Sequence, residues 1–118
     1  MSIAWRHTMS RTGAVATVHL GGEITYRTKE AIRDLLGTTL RTPGVHTVAA
    51  DLTDVAFLDS SGLAALLMTS EAADAAGVAF RVVNAERRIR RMFHYTGVLE
   101  RLTGDTAAGP DPQPAADV

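Results

Sequence analysis

The chain has no cysteine among its 118 residues, which excludes disulfide bonds, thiolate metal ligands and a thiol nucleophile. Aromatic residues make up only 5% and charged residues 21%, while apolar residues reach 46%, a balance typical of a globular protein. No apolar run approaches the roughly 18 residues that cross a bilayer, so we expect no direct membrane insertion. The N-terminal stretch MSIAWRHTMS lacks the apolar segment of a signal peptide, and we therefore expect a cytoplasmic protein.

Lysine is nearly absent: of the 12 basic residues, all but Lys29 are arginine. Three of the aspartates lie beyond Thr103, so residues 1–103 carry 12 basic and 10 acidic groups, a net charge of +2. Nucleic-acid-binding domains have a much larger basic excess, and we expect no nucleic-acid partner. Four arginines cluster on a predicted helix, namely Arg87, Arg88, Arg90 and Arg91. They could dock an acidic partner or an anionic lipid headgroup, but we favour a solvated helix face.

Proline is scarce before residue 104, since three of the four prolines lie in the final stretch GDTAAGPDPQPAADV. This stretch has almost no bulky apolar side chain whose burial would offset the entropy of ordering it. We therefore predict a disordered Pro/Ala-rich tail over 104–118. Residues 1–103 are predicted to form one domain, which is long enough to bury a core.

Hydrophobic patterns predict seven main elements in the order β-β-α-β-α-β-α. The predicted strands cover 3–7, 14–20, 45–52 and 78–83. The first predicted helix has Thr25 or Thr28 as its cap and is stopped by Thr42-Pro43-Gly44. The other helices lie over 60–76 and 85–95, the last capped by Asn84, and Leu99 and Leu102 belong to a short final element. Strands joined through helices pair in parallel, while the opening hairpin is antiparallel. The predicted fold is therefore α/β, a mixed β-sheet with helices packed against it.

The most informative stretch is DLTDVAFLDSSGLAALLM, from Asp51 to Met68. A stretch rich in apolar residues precedes Asp59-Ser60-Ser61-Gly62, and leucines at helical spacing follow these four residues. Three of these four junction residues are good helix N-caps. The serine hydroxyls therefore lie near backbone N–H groups that have no partner within the helix. Ser60 is accordingly either a plain helix cap or a surface residue available for modification.

Enzymatic chemistry is not supported by the remaining residues. A serine hydrolase at Ser60 would need a histidine base and an orienting carboxylate, and DSSG does not match the G-x-S-x-G nucleophile elbow. The histidines are scattered, at His7, His19, His46 and His94. That spacing does not form a metal site, and Gly21-Gly22-Glu23 matches no phosphate-binding loop. We expect no catalytic residue, no metal and no cofactor.

The segment FLDSSGLAALL resembles the central motif of STAS domains, and more narrowly that of the bacterial anti-sigma factor antagonists. Two other landmarks fit the same family: the turn Gly22-Glu23-Ile24 upstream, and Val83-Asn84 with Thr96-Gly97-Val98 downstream. The resemblance covers residues 10–100. It implies a STAS-type fold and a protein that works by binding rather than catalysis.

The resemblance also implies a switch. Such proteins bind an anti-sigma factor, usually a serine kinase, in their unphosphorylated form and so release a sigma factor. The kinase phosphorylates the first serine of the motif, here Ser60, with Ser61 as the alternative acceptor, and a serine phosphatase reverses the reaction. The partner-binding residues implied by position form two segments: Glu23, Ile24, Thr25 and Tyr26, and Asp59, Ser60, Ser61 and Gly62.

Two departures from the family pattern affect what we expect of this chain. Many relatives have an acidic residue where this chain has Thr25, so docking strength or partner choice is expected to differ. Relatives usually continue into another element after Thr-Gly-Val, and its absence would expose apolar surface and favour a homodimer. The alternative function is a STAS scaffold, or a subunit of a stress-signalling or lipid-transport assembly, without a switch at Ser60.

Overall fold

The computed structural model describes residues 4–105 of the chain. In this region the chain forms four strands and four helices: β1 (Trp5–Thr12), β2 (Val15–Ile24), α1 (Lys29–Leu40), β3 (Thr47–Leu58), α2 (Ser60–Ala76), β4 (Ala79–Val83), α3 (Arg87–Tyr95) and α4 (Leu99–Thr103). This order confirms the predicted one, with the short final element present as α4.

The four strands form one sheet in the order β1-β2-β3-β4. β1 pairs antiparallel with β2, and β2–β3 and β3–β4 pair in parallel, which confirms the predicted mixed sheet. A two-residue turn joins β1 to β2, and its first residue, Gly13, has φ +61°. A positive φ at that position is what a type II′ hairpin turn requires, and glycine adopts it without strain.

The core lies on one face of the sheet, under α1 and α2. Alternate residues of β2 and β3 point into it, as the strand periodicity predicts, and the helices cover them with leucine and isoleucine side chains. The fully buried side chains include Val18, Val48, Leu52, Ile32, Leu36 and Leu66. We call the opposite face, whose residues in β2 and β3 are more exposed, the open face, and His19 and Asp51 lie there beside each other.

Several element boundaries differ from the predicted ones, and β1 runs over Trp5–Thr12 rather than over 3–7, because its pairing with β2 extends to the turn at Gly13. β2 continues through Gly21-Gly22 to Ile24, and β3 continues to Leu58 rather than stopping at Leu52. In these extensions polar residues interrupt the alternation of apolar and polar side chains, and the register between β2 and β3 shifts twice. The two strands nevertheless stay paired with each other as far as Ile24 and Leu58. α3 begins at Arg87, capped by Glu86, because Asn84 adopts φ +59° and serves as a turn residue.

The end of the described chain bears on the expected homodimer. The side chains of Leu99 and Leu102 in α4 are buried, and Gly104, at φ +83°, is the C-cap residue that ends the helix. The predicted short final element is therefore present and packed, and the expected homodimer stays a prediction. The predicted tail over 104–118 falls almost entirely outside the described residues. None of the helices in the described part of the chain is both long and apolar enough to span a membrane.

Candidate functional site

The two segments predicted to bind a partner meet at one edge of the sheet. Parallel pairing of β2 with β3 places Glu23 opposite Phe57 and Ile24 opposite Leu58. Since both strands end here, the turn after β2 and the start of α2 lie side by side. Segments far apart in sequence thus form one continuous surface.

Asp59 ties these two segments together. It is the N-cap residue of α2, and its Oδ1 accepts a hydrogen bond of 2.8 Å from the backbone amide of Gly62. Its Oδ2 accepts a longer bond of 3.3 Å from the amide of Tyr26 in the turn after β2. The Asp59 amide in turn donates to the carbonyl oxygen of Ile24 at 3.3 Å. A single side chain therefore caps the helix and holds the neighbouring turn against it.

Gly62 and Ile24 bring the helix and strand into close contact. A Cβ added to Gly62 would overlap the carbonyl oxygen of Ile24, so no other residue fits without a shift of the backbone. Both residues are buried, and the Ile24 side chain has no exposed surface. Although both belong to the predicted partner-binding set, neither presents side-chain area on the surface of the free protein. They position the residues around them instead.

Ser60 is the first residue of α2 and is exposed to solvent. The capping bond comes from Asp59, so the plain-cap interpretation of Ser60 is wrong. Within residues 4–105, the Ser60 hydroxyl has no hydrogen-bond partner, which leaves it available to a modifying enzyme. Ser61 is only partly exposed.

The turn after β2 is held by its own threonines. The Thr28 hydroxyl donates to the Glu23 carbonyl oxygen at 2.8 Å and accepts from the Thr25 amide at 2.9 Å. These bonds fix the turn that presents Tyr26, whose side chain is 70% exposed. The Lys29 Nζ lies 4.9 Å from the centre of the Tyr26 ring, within the range of a cation–π contact. The turn is therefore ordered, with an aromatic side chain at its tip.

Phe57 belongs to the same surface and was not predicted from the sequence. Its side chain is 53% exposed, and it lies opposite Glu23 in the sheet. Phe57 faces outward because of the second register shift, between the pairs Gly22–Val55 and Glu23–Phe57, which leaves Val55 and Leu58 buried on either side of it. Strict alternation from Val55 would have buried Phe57, so the sequence pattern gives no local signal for its exposure. We define the Ser60 surface as Glu23, Tyr26, Phe57, Asp59 and Ser60. It combines the exposed aromatic area of Tyr26 and Phe57 with the carboxylates of Glu23 and Asp59.

A hydrolase centred on Ser60 is not formed. Within the described range 4–105, no histidine ring lies in hydrogen-bond distance of Ser60. His7 stacks on Trp5, and His19 is bonded to Asp51 on the open face of the sheet. In the same range, no cluster of three or more His, Cys, Asp or Glu side chains is arranged to hold a metal ion.

The arginines of α3 are partly neutralised. Arg90 pairs with Asp105 at 2.9 Å, and Arg88 lies 3.6 Å from Glu86. Arg87 and Arg91 are exposed. These positions are those of a solvated helix face with local ion pairs, each of which contributes little to stability.

Comparison with known proteins gives consistent results. Residues 7–108 match the model of the STAS domain family. The anti-sigma-B factor antagonist of Staphylococcus epidermidis is 30% identical over 85 residues, which cover 72% of this chain and 78% of that protein.

Two solved structures extend the comparison. An anti-sigma factor antagonist from Mycobacterium paratuberculosis superposes with a TM-score of 0.70 at 26% identity, covering 83% of this chain and 82% of that one. The Bacillus cell fate determinant SpoIIAA in its phosphorylated form gives a TM-score of 0.64 at 21% identity, covering 83% and 89% of the two chains. At that identity, the second likeness concerns the fold alone.

Proposed function

The chain belongs to the STAS domain family, and from this we propose that it is an anti-sigma factor antagonist whose binding is switched off at Ser60. In its unphosphorylated form, the Ser60 surface binds an anti-sigma factor that is itself a serine kinase, and a sigma factor is released. The kinase phosphorylates Ser60, with Ser61 as the alternative acceptor, and a serine phosphatase restores the active form. The observation that carries the proposal is the exposed Ser60 hydroxyl beside a helix that Asp59 caps.

The capping arrangement explains why phosphorylation would leave the fold intact. A phosphoryl group adds about −1.5 to −2 charges at neutral pH. At the first residue of α2 it would lie near the positive end of the helix dipole, where an anion is favoured by roughly 0.3–1 kcal/mol. Because Ser60 takes no part in the capping bonds, its modification removes none of them.

The same modification would weaken docking strongly. Phosphoserine at position 60 would follow directly on Asp59, on a surface that also carries Glu23, and so would add negative charge to the Ser60 surface. A partner that contacts Tyr26 and Phe57 would have to bury that charge without matching cations. Burial of unpaired charge costs several kcal/mol, and about 1.4 kcal/mol already lowers affinity tenfold.

The test is a binding assay of wild type, Ser60→Ala and Ser60→Asp against candidate anti-sigma kinases. We expect Ser60→Ala to bind like wild type and Ser60→Asp to bind at least about tenfold more weakly. Ser61→Ala and Ser61→Asp test the alternative acceptor, whose side chain is only partly exposed. Weaker binding by Ser61→Asp but not by Ser60→Asp would assign the switch to Ser61. Incubation with the bound kinase and ATP, followed by peptide mapping, should place the phosphate on Ser60.

Two results would contradict this proposal. Equal binding by Ser60→Ala and Ser60→Asp would remove the switch and favour the scaffold or lipid-transport subunit. Phosphate found on neither serine of the motif would refute the acceptor assignment even if binding is observed.

A further inference from the structure

Three polar side chains on the open face of the sheet form a connected chain that the Ser60 switch does not use. Ser10 Oγ lies 3.1 Å from His19 Nε2, and His19 Nδ1 lies 3.0 Å from Asp51 Oδ2. The residues come from β1, β2 and β3, and the sheet register brings them together. A nucleophile bonded to a base, with the base oriented by a third group, is the arrangement by which serine hydroxyls are activated.

The Asp51 carboxylate is well placed to orient the imidazole. Burial raises its pKa, but hydrogen bonds from the side chain and amide of Thr53, from Asn84 and from His19 outweigh burial and hold the pKa below its usual value. Its Oδ1 accepts from the Thr53 amide at 2.9 Å and from the Thr53 hydroxyl at 2.6 Å, which leaves Oδ2 for His19. An ionised carboxylate can only accept, so Nδ1 of His19 carries the proton and Nε2 can accept from Ser10.

Ser10 is accessible and is remote from the Ser60 surface. Ser10 is exposed, and the His19 side chain is 42% exposed. Ser10 pairs with Thr17 in the sheet, seven residues before Ile24 at the end of β2. At about 3.3 Å per residue, the two serines are separated by roughly 23 Å along the strand direction. The Ser10 cluster and the Ser60 surface can therefore be tested independently.

We propose that Ser10 is a nucleophilic serine that accepts acyl groups from activated esters, with His19 as its general base and Asp51 as a positioning residue. Ser10 Oγ attacks the ester carbonyl carbon while its proton passes to His19 Nε2. The bond from carbon to the alkoxy oxygen then breaks, and the leaving group takes the proton. The products are an acylated Ser10 and a free alcohol or phenol. The ligand class is a carboxylic ester with a good leaving group.

The test uses p-nitrophenyl acetate with the full chain, followed by peptide mapping of the acetylated residues. Ser60 is the internal control, because it is exposed but has no histidine base in the described structure. A positioned general base contributes about 10²–10⁴-fold, so Ser10 should acetylate at least about 100-fold faster than Ser60. His19→Gln should remove that difference while Ser60 labelling stays unchanged.

Asp51→Asn tests the positioning role. It should lower Ser10 labelling while labelling of Ser60 in the same molecules stays constant, and Asp51→Glu should recover part of the rate. A merely structural effect of Asp51 would not change the Ser10-to-Ser60 ratio in a chain that circular dichroism shows to be folded. Equal labelling of Ser10 and Ser60 in wild type, or fast Ser10 labelling that survives His19→Gln, would overturn the proposal.

Discussion

Asp59 rather than Ser60 should determine the stability of the start of α2, and Asp59→Ala tests this directly. The substitution removes the acceptor of the buried Gly62 amide, at 2.8 Å, and of the exposed Tyr26 amide, at 3.3 Å. Loss of an N-cap costs about 1–2 kcal/mol. The longer, exposed bond adds at most about 0.5 kcal/mol. We therefore expect the free energy of unfolding to fall by about 1–2.5 kcal/mol, which for a domain of this size class lowers Tm by about 4 °C or more.

Urea unfolding followed by circular dichroism measures this change, provided that the m-value stays constant. Two variants serve as controls. Asp59→Asn keeps a side-chain acceptor at the cap and should cost only a few tenths of a kcal/mol, because asparagine and aspartate cap about equally well. Ser60→Ala should stay within about 0.5 kcal/mol of wild type, as surface changes usually do. A Ser60→Ala loss as large as that of Asp59→Ala would refute the assignment of the cap.

Three further predictions concern packing, pH and binding. Gly62→Ala forces a Cβ into a backbone carbonyl oxygen and should lower the free energy of unfolding by about 1–3 kcal/mol, whereas Gly37→Ala in α1 should be neutral or stabilising in the same thermal melts. Because the pKa of Asp51 is lowered from 3.8 on folding, its contribution to stability is present above that pH and is lost as the pH falls through the folded-state pKa. The stability difference between wild type and Asp51→Asn, measured by urea unfolding, should therefore shrink below about pH 3.8; a constant difference would contradict this. Phe57→Ala should weaken binding to the anti-sigma factor by more than tenfold in a titration, with unchanged stability, and unaltered affinity would remove Phe57 from the docking surface.

Local patterns were sufficient for most of the fold. The helix over 60–76 was predicted to the residue, because a polar junction precedes it, leucines repeat at helical spacing and Gly77 ends it at φ +73°. The extension of β3 to Leu58 could not be predicted from the local sequence pattern. Thr53 and Asp54 interrupt its alternation, and the strand persists there only because β2 provides hydrogen-bond partners through Gly21-Gly22. That pairing is a property of the sheet and has no local sequence signal.

The candidate site shows the same division between local and non-local information. The motif identified Ser60 and its neighbours, but three adjacent residues could each have been the cap, and only the backbone geometry selects Asp59. Similarly, Ser10 and Asp51 are separated from His19 by 9 and 32 residues. Their contact depends on the strand register, which spacing along the chain does not reveal.

The separation of the cap from the modified residue has a mechanical consequence for the proposed switch. If the cap were Ser60, phosphorylation would change both the charge of the surface and the hydrogen bonds that hold α2 to the turn after β2. With Asp59 as the cap, and with Gly62 packed on Ile24, the backbone on both sides of the serine is held by groups that modification does not touch. The two states would then differ chiefly in charge. The added charge would lower the affinity for a partner strongly, because binding must desolvate the Ser60 surface. It would change the stability of the free protein only weakly, because water screens the charge there.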